Sequence, residues 1–209
     1  MMFKLAIISI CFFITTSVYA SSKIYLIRHA SVNIEKPGWS NAKEAQFYKE
    51  RYNYTGILAF DRKEVLNKIE NYKEIDTVFC SPQLRALQTA QILFEGKAFL
   101  RTSEHLKELD YPISTLPLIK LPVNIWLTMS RISWMAGNTA NNKPSYQDRK
   151  ENLEIFVDEL IAYAEKNGIS VVVAHGGVNR ELIRILKKKG WKLEIRDGLG
   201  NLSVNCLSK

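Results

Sequence analysis

The sequence is short of several things, and each shortage closes off a class of protein. Its 209 residues include only three cysteines and three histidines. That is too few cysteines for a disulfide framework. Neither a Cys-x-x-Cys pair nor a Cys/His cluster with metal-ligand spacing occurs. There is no low-complexity tract and no internal repeat, which removes disordered tails and solenoids. The longest basic run is Lys187-Lys188-Lys189, which reads as the solvated end of a helix, where cations suit the C-terminal dipole. No nucleic-acid partner is implied. The one long apolar run, Leu5 to Thr16, is shorter than the roughly 20 residues that span a bilayer comfortably.

What is present describes one globular domain with a substantial core. Apolar residues make up 46% of the chain and charged residues 24%. A formal charge of +8 favours anionic ligands without choosing among them. The N-terminus stands apart. Met1 to Lys4 is short and basic, the apolar core follows, and Val18-Tyr19-Ala20 has the small-x-small pattern that signal peptidase cuts. The division expected is a signal peptide over residues 1–20 and a single domain over 21–209. A retained anchor is the alternative. The mature protein is then periplasmic or secreted, with no stable membrane insertion after cleavage. In that oxidising compartment Cys80 and Cys206 are expected as unpaired thiols, because both sit in apolar, strand-like surroundings.

Along the mature chain, strands alternate with helices. Lys23 to Ile27 is apolar throughout, as a central strand covered on both faces would be. Helices are expected over Asn41 to Asn53, over Asp61 to Tyr72 with Asp61 as N-cap, and over Gln83 to Phe94. Strands are expected over Thr77 to Cys80, Ala98 to Arg101, Ser170 to Ala174 and Leu202 to Leu207. Leu153, Phe156, Val157, Leu160, Ile161 and Ala164 follow helical spacing up to Asn167-Gly168, and Val178, Leu182, Ile185 and Leu186 mark another helix. Tyr111 to Asn142 is the least regular stretch and reads as a lid or inserted helical piece. The fold class expected is α/β: a three-layer sandwich with a largely parallel central sheet flanked by helices, plus that insert.

Ligands of open α/β sheets bind outside the carboxyl ends of the strands. Three such ends carry Arg28-His29, Ser81-Pro82-Gln83-Leu84-Arg85, and His175-Gly176-Gly177. Two of the three histidines occupy these ends. Two arginines supply forked donors that match phosphate oxygens. A neutral imidazole can attack phosphorus, and a second, protonated one can stabilise the charge on the transferring group. Gly176 and Gly177 allow close approach of backbone to a ligand, and the helix that follows points its amides at an anion. His105 reads as structural. Trp39, Trp126 and Trp134 suit either stacking on a substrate or packing a lid onto the body. Ser31 and Asn179 are candidate supporting donors. Gly38-Trp39-Ser40-Asn41-Ala42 has the look of a nucleophile elbow, but no strand precedes it and the His-Gly-Gly element comes after it in the chain, so an esterase is not supported.

Four stretches, "LIRHAS", "CSPQLRALQTAQIL", "LKELDY" and "VVVAHGGVNRELI", resemble the histidine phosphatase superfamily in its phosphoglycerate mutase-like branch. The resemblance implies His29 as the nucleophile that becomes transiently phosphorylated, Arg28 and Arg85 as phosphate holders, and His175 as the residue that completes the pocket. It implies Glu108 as the proton donor, with Asp110 a nearby carboxylate able to take that role. No cofactor and no metal are implied, and the substrate is a small phosphorylated molecule. The activity implied is an exported, metal-independent phosphomonoesterase. The alternatives are a mutase, which returns the phosphoryl group to another hydroxyl, and a silent member that only binds phosphate. Two departures stand out: Ala30 replaces the usual glycine, and Cys80 precedes Ser81-Pro82. Asn33 matches a family asparagine only weakly, because its spacing from His29 is short.

Overall fold

The computed structural model describes residues 21–108, 111–113, 119–138 and 144–209. Residues 1–20, and with them the expected signal peptide, lie outside that description. So does Asp110.

In chain order the elements are β1 (Lys23–Arg28), β2 (Trp39–Ser40), α1 (Ala42–Tyr54), α2 (Arg62–Leu66), β3 (Thr77–Cys80), α3 (Leu84–Phe94) and β4 (Phe99–Thr102). After the gaps come β5 (Leu121–Pro122), α4 (Val123–Met135), α5 (Tyr146–Asn167), β6 (Ile169–Ala174), α6 (Gly176–Lys188), β7 (Lys192–Arg196) and β8 (Val204–Ser208). Six strands form one sheet in the order β4-β3-β6-β1-β8-β7. The first four run parallel; β8 is antiparallel to β1, and β7, antiparallel to β8, runs in the direction of the first four. β2 and β5 make a separate two-stranded piece.

β1 lies between β6 and β8 and is hydrogen-bonded on both sides, which explains its continuous apolar sequence. Alternation sorts its side chains. Ile24 and Leu26 join the core beneath α5 and α6, while Tyr25 and Ile27 join the opposite core beneath α2 and α3. Val172 and Val171 divide in the same way. The result is the expected three-layer arrangement. Burial of such a strand removes apolar surface at about 25 cal/mol per Å², so the two cores are the main source of stability.

Local chemistry sets the helix ends. Asn41 and Ser145 each close a capping box, with Glu44 and Asp148 as partners, at the starts of α1 and α5. Gly168 ends α5 with a φ of 81°, a conformation that costs a glycine little. Asp61 caps α2 as expected, but the helix stops at Leu66 instead of running to Tyr72. A turn and a short 3₁₀ segment over Tyr72–Glu74 replace the remainder, with Asn71 at a φ of 48°. Ile69 stays buried regardless, which is why the apolar spacing looked helical. β7 went unread in the sequence because Lys192, Glu194 and Arg196 make it look solvated; it is an edge strand whose outer face is wet.

Where it is described, the irregular segment is the insert expected. β5 and α4 carry Trp126 and Trp134, both fully buried. Trp126 Nε1 donates to the Ser40 carbonyl at 2.7 Å and Trp134 Nε1 to the Pro144 carbonyl at 3.2 Å. These two tryptophans fasten α4 to the body and are not stacking platforms. Trp39 is exposed on β2. Ser40 of the elbow-like stretch is buried against Leu121. Cys80 and Cys206 are free and buried, with two strands between them, and burial pushes their thiols up to about 12 and about 11. Among the described residues no helix is long and apolar enough to cross a membrane.

Candidate active site

Because β3, β6 and β1 are adjacent and parallel, their carboxyl ends are neighbours. That adjacency brings the three reactive stretches together. Arg28 and His29 end β1, Ser81 to Arg85 link β3 to α3, and His175 is the N-cap residue of α6. Glu108 arrives from the loop after β4. The His29 and His175 rings stand edge to face with centroids 5.1 Å apart. Donor atoms of His29, His175 and Glu108 all lie within 4.8 Å of one another.

Hydrogen bonds fix the state of His29. Its Nδ1 is 2.7 Å from the carbonyl oxygen of Ala30. A carbonyl can only accept, so the ring proton sits on Nδ1 and Nε2 keeps a lone pair. Arg85 Nε donates toward that Nε2 at 3.3 Å. Burial pushes the imidazole down to about 3; the Ala30 contact opposes this, and the Arg85 and Arg28 charges add to it. His29 is therefore neutral at working pH. Ala30 is itself tied down, its N–H donating to Thr89 Oγ1 at 2.9 Å. It is not among the residues with positive φ, so its methyl group strains nothing.

His175 is held in a complementary way. Its Nε2 lies 2.8 Å from Ser81 Oγ and its Nδ1 lies 3.7 Å from Glu108 Oε2. Gln83 N–H donates weakly to Ser81 Oγ at 3.4 Å, and the serine hydroxyl can donate to or accept from His175 Nε2, while the buried Nδ1 has no hydrogen-bond partner. Burial, then the charges of Arg85, His29 and Arg28, hold this imidazole well below its usual range, so His175 is neutral and not the protonated ring the sequence suggested.

The arginines are braced. Arg85 donates to Asn53 Oδ1 at 3.0 Å and to Gln83 Oε1 at 3.2 Å, and its guanidinium lies 5.0 Å from the Tyr52 ring centre. Gln83 Oε1 also accepts from the Glu108 backbone at 2.7 Å, so one side chain places both the cation and the carboxyl. Arg28 Nη1 donates to the Leu199 carbonyl at 2.5 Å. A Cβ on Gly176 would stand 3.2 Å from that same carbonyl and 3.4 Å from Arg28 Nη1. Gly176 thus makes room for the arginine and its buttress, where the sequence suggested room for a ligand. Tyr52, Asn53, Gln83, Thr89 and Asn201, which donates to the His29 carbonyl at 2.9 Å, carried no local signal of their own. Only the folded arrangement reveals them.

Several sequence candidates stay outside. Ser31 and Asn33 are exposed, and Asn33 uses its backbone to bond Gly56. Neither lines the cavity at the site. Asn179 is fully buried and neither side-chain polar atom has a hydrogen-bond partner. His105 sits near Phe156, a structural place.

The cavity has a volume of about 280 Å³ and is lined by Arg28, Arg85, Tyr52, Asn53 and Glu108, with Tyr48, Lys49, Tyr111 and Arg131 on its outer walls. The two histidines and Glu108 have the spacing of metal donors. However, two guanidinium groups face the same space, and Arg85 already addresses the His29 lone pair. Such charge suits a phosphate dianion far better than a dication.

One pH dependence follows at once. Both histidines are neutral when folded and take up protons when unfolded. In the window from 6.5 down to about 3, set by His29, the unfolded chain binds more protons, so stability falls as pH falls. Each histidine contributes a slope of about 1.4 kcal/mol per pH unit in mid-window. The urea midpoint should drop between pH 6.5 and 4, and replacing His29 by glutamine should flatten part of the drop. An unchanged slope in that variant would count against a buried neutral His29.

Sheet order and charge define the class: an α/β protein with a cationic cavity at the ends of its parallel strands. The profile of the histidine phosphatase superfamily (branch 1) matches residues 61–208, more than half of the chain. The protein belongs to that superfamily. The matched span includes Arg85, Glu108 and His175; Arg28 and His29 precede it and join the site through β1. Solved structures agree on the fold. A mycobacterial glucosyl-3-phosphoglycerate phosphatase has a TM-score of 0.53 at 18% identity, covering 90% of each chain. A phosphoserine phosphatase from Entamoeba histolytica, solved with 3-phosphoglyceric acid, has a TM-score of 0.54 at 19% identity, covering 88% of this chain and 89% of its own. No curated protein matches by sequence.

Proposed function

We propose that this protein is an exported, metal-independent phosphatase that hydrolyses phosphomonoesters through a phosphohistidine at His29. One observation carries the reading: a neutral, fully buried imidazole whose Nε2 accepts from Arg85 and which lies, with His175 and Glu108, in a cluster of ring-nitrogen and carboxylate atoms within 4.8 Å of one another, directly behind the cavity that Arg85 and Glu108 line. The neighbouring phosphatases of the same fold agree with it. Export rests on the pattern of residues 1–20.

In the first step His29 Nε2 attacks phosphorus while the ester P–O bond breaks. Arg28 and Arg85 neutralise the phosphoryl oxygens, and neutral His175, holding its proton on Nδ1 for this step with Nε2 accepting from Ser81, donates one hydrogen bond to them. Glu108, as the acid, gives its proton to the leaving oxygen. In the second step Glu108, now a carboxylate, takes a proton from water as the water oxygen attacks phosphorus. The P–N bond breaks, and His29 returns with its proton still on Nδ1 and its lone pair restored. Glu108 keeps about a quarter of its side chain exposed, an approach for water that favours hydrolysis over return to a second hydroxyl.

The test is a panel of phosphomonoesters assayed with and without chelator. Hydrolysis insensitive to chelator supports the reading; turnover that requires added metal, or none on any ester, sinks it. Within that panel Glu108→Gln should slow alkyl phosphates about 100-fold and p-nitrophenyl phosphate less than about tenfold, since only the poor leaving group needs the proton. Equal losses on both would remove Glu108 from the acid role.

A further inference from the structure

Beyond the phosphate grip, the cavity holds a cation that the reaction above does not use. Arg131 projects from α4 into the outer wall of the cavity that Arg28 and Arg85 line. Its guanidinium lies 5.3 Å from the centre of the Tyr111 ring, and Nη2 donates to the Tyr111 hydroxyl at a long 3.4 Å. Its Nε is buried and has no hydrogen-bond partner. No ion pair joins Arg131 to a carboxylate of the described residues. A half-buried guanidinium on a cavity wall, stacked on a buried tyrosine and without a carboxylate partner among the described residues, is placed to meet an anion that enters the cavity. Tyr111 is 4% exposed, so the ring that orients the guanidinium is fixed in turn.

We propose that Arg131 is a specificity-determining residue that binds a second anionic group, carboxylate or phosphate, on the substrate whose first phosphate sits at His29. This rests on the phosphatase reading given above. The chemistry is that of a guanidinium meeting a planar or tetrahedral oxyanion from the cavity side, through its terminal Nη donors. The insert that carries Arg131 is anchored by Trp126 and Trp134, so the second subsite is built on a fixed helix and not on a loose loop.

The experiment compares matched esters: 3-phosphoglycerate against glycerol 3-phosphate, and fructose 1,6-bisphosphate against fructose 6-phosphate. Wild type should favour the doubly anionic member of at least one pair by about tenfold or more in kcat/KM. The pair that responds says whether carboxylate or phosphate is the group read. Arg131→Met should erase that preference, with less than about threefold change on the singly charged ester, which also shows that the variant is folded. Arg131→Lys should restore only part of it. Equal hydrolysis within both pairs by wild type, or an equal loss on both members in Arg131→Met, overturns the assignment while leaving the phosphatase reading intact. Calorimetric binding of the same esters to His29→Ala, with and without Arg131→Met, separates the two claims. Tighter binding of the doubly charged ester that depends on Arg131, in a protein whose wild type turns over nothing, keeps the subsite and sinks the phosphatase.

Discussion

Replacing His29 by alanine should lower hydrolysis of every phosphomonoester by about 10⁴-fold or more, because it removes the atom that forms the covalent bond. Brief exposure of the wild type to a labelled substrate, followed by denaturing quench, should leave label on the protein. That label should be released in acid and survive in base, as expected of a phosphoramidate. The variant should carry none. The substitution leaves a void beside Thr89 and Tyr52 in a region already braced by the Ala30 and Asn201 contacts, so the fold should survive it. Circular dichroism serves as the control. A folded His29→Ala protein with wild-type turnover would refute a nucleophilic role outright.

Arg85 is the second place where one substitution should be severe. Its guanidinium meets Asn53, Gln83, the Tyr52 face and His29 at once. Arg85→Ala should reduce kcat/KM about 10³-fold, in the range of removing a cation that neutralises a transferring phosphoryl group. A second effect has a definite sign. The Arg85 charge is one of the causes that hold His29 down near 3. Without it the imidazole takes a proton at higher pH. Only the neutral ring attacks phosphorus, so the acid limb of the kcat/KM profile should move upward in pH. An acid limb that stays in place, or moves down, would mean that the two side chains do not share the charge balance described here. Arg85→Lys keeps the charge but loses the fork. It should hold the acid limb nearer its original position while recovering little of the rate.

The sequence disclosed the residues at the strand ends far better than their supports. His29, Arg28, Arg85 and His175 could be placed because an apolar strand stopping at a charged or titratable residue is a local event, visible within a few positions. Adjacency of β3, β6 and β1 then turns three separate ends into one site. Gln83 shows the opposite case. It reads as an ordinary residue before a helix, yet it fixes both Arg85 and the Glu108 backbone from positions brought together only by folding. Ser81 was visible as part of a motif, but its role in orienting His175 depends on a contact across 94 positions of chain. The fold followed a similar pattern. α5 was legible because five buried side chains repeat at helical spacing. β7 was hidden because an edge strand buries too little to write a pattern.

The loop between β7 and β8 never touches the cavity, yet it supports the deepest part of the site. Leu199 accepts from Arg28, Asn201 donates to the His29 carbonyl, and Ser203 accepts the Arg28 backbone N–H. The cavity's outer wall, by contrast, is supplied by α1, α4 and Tyr111. α1 serves both, its Asn53 and Tyr52 bracing Arg85, whereas within the site the β7–β8 loop meets only the inner residues and α4 only the outer wall. Substitutions on the cavity face of α4 can therefore reshape the outer wall without touching the contacts that hold Arg28 and His29 from behind.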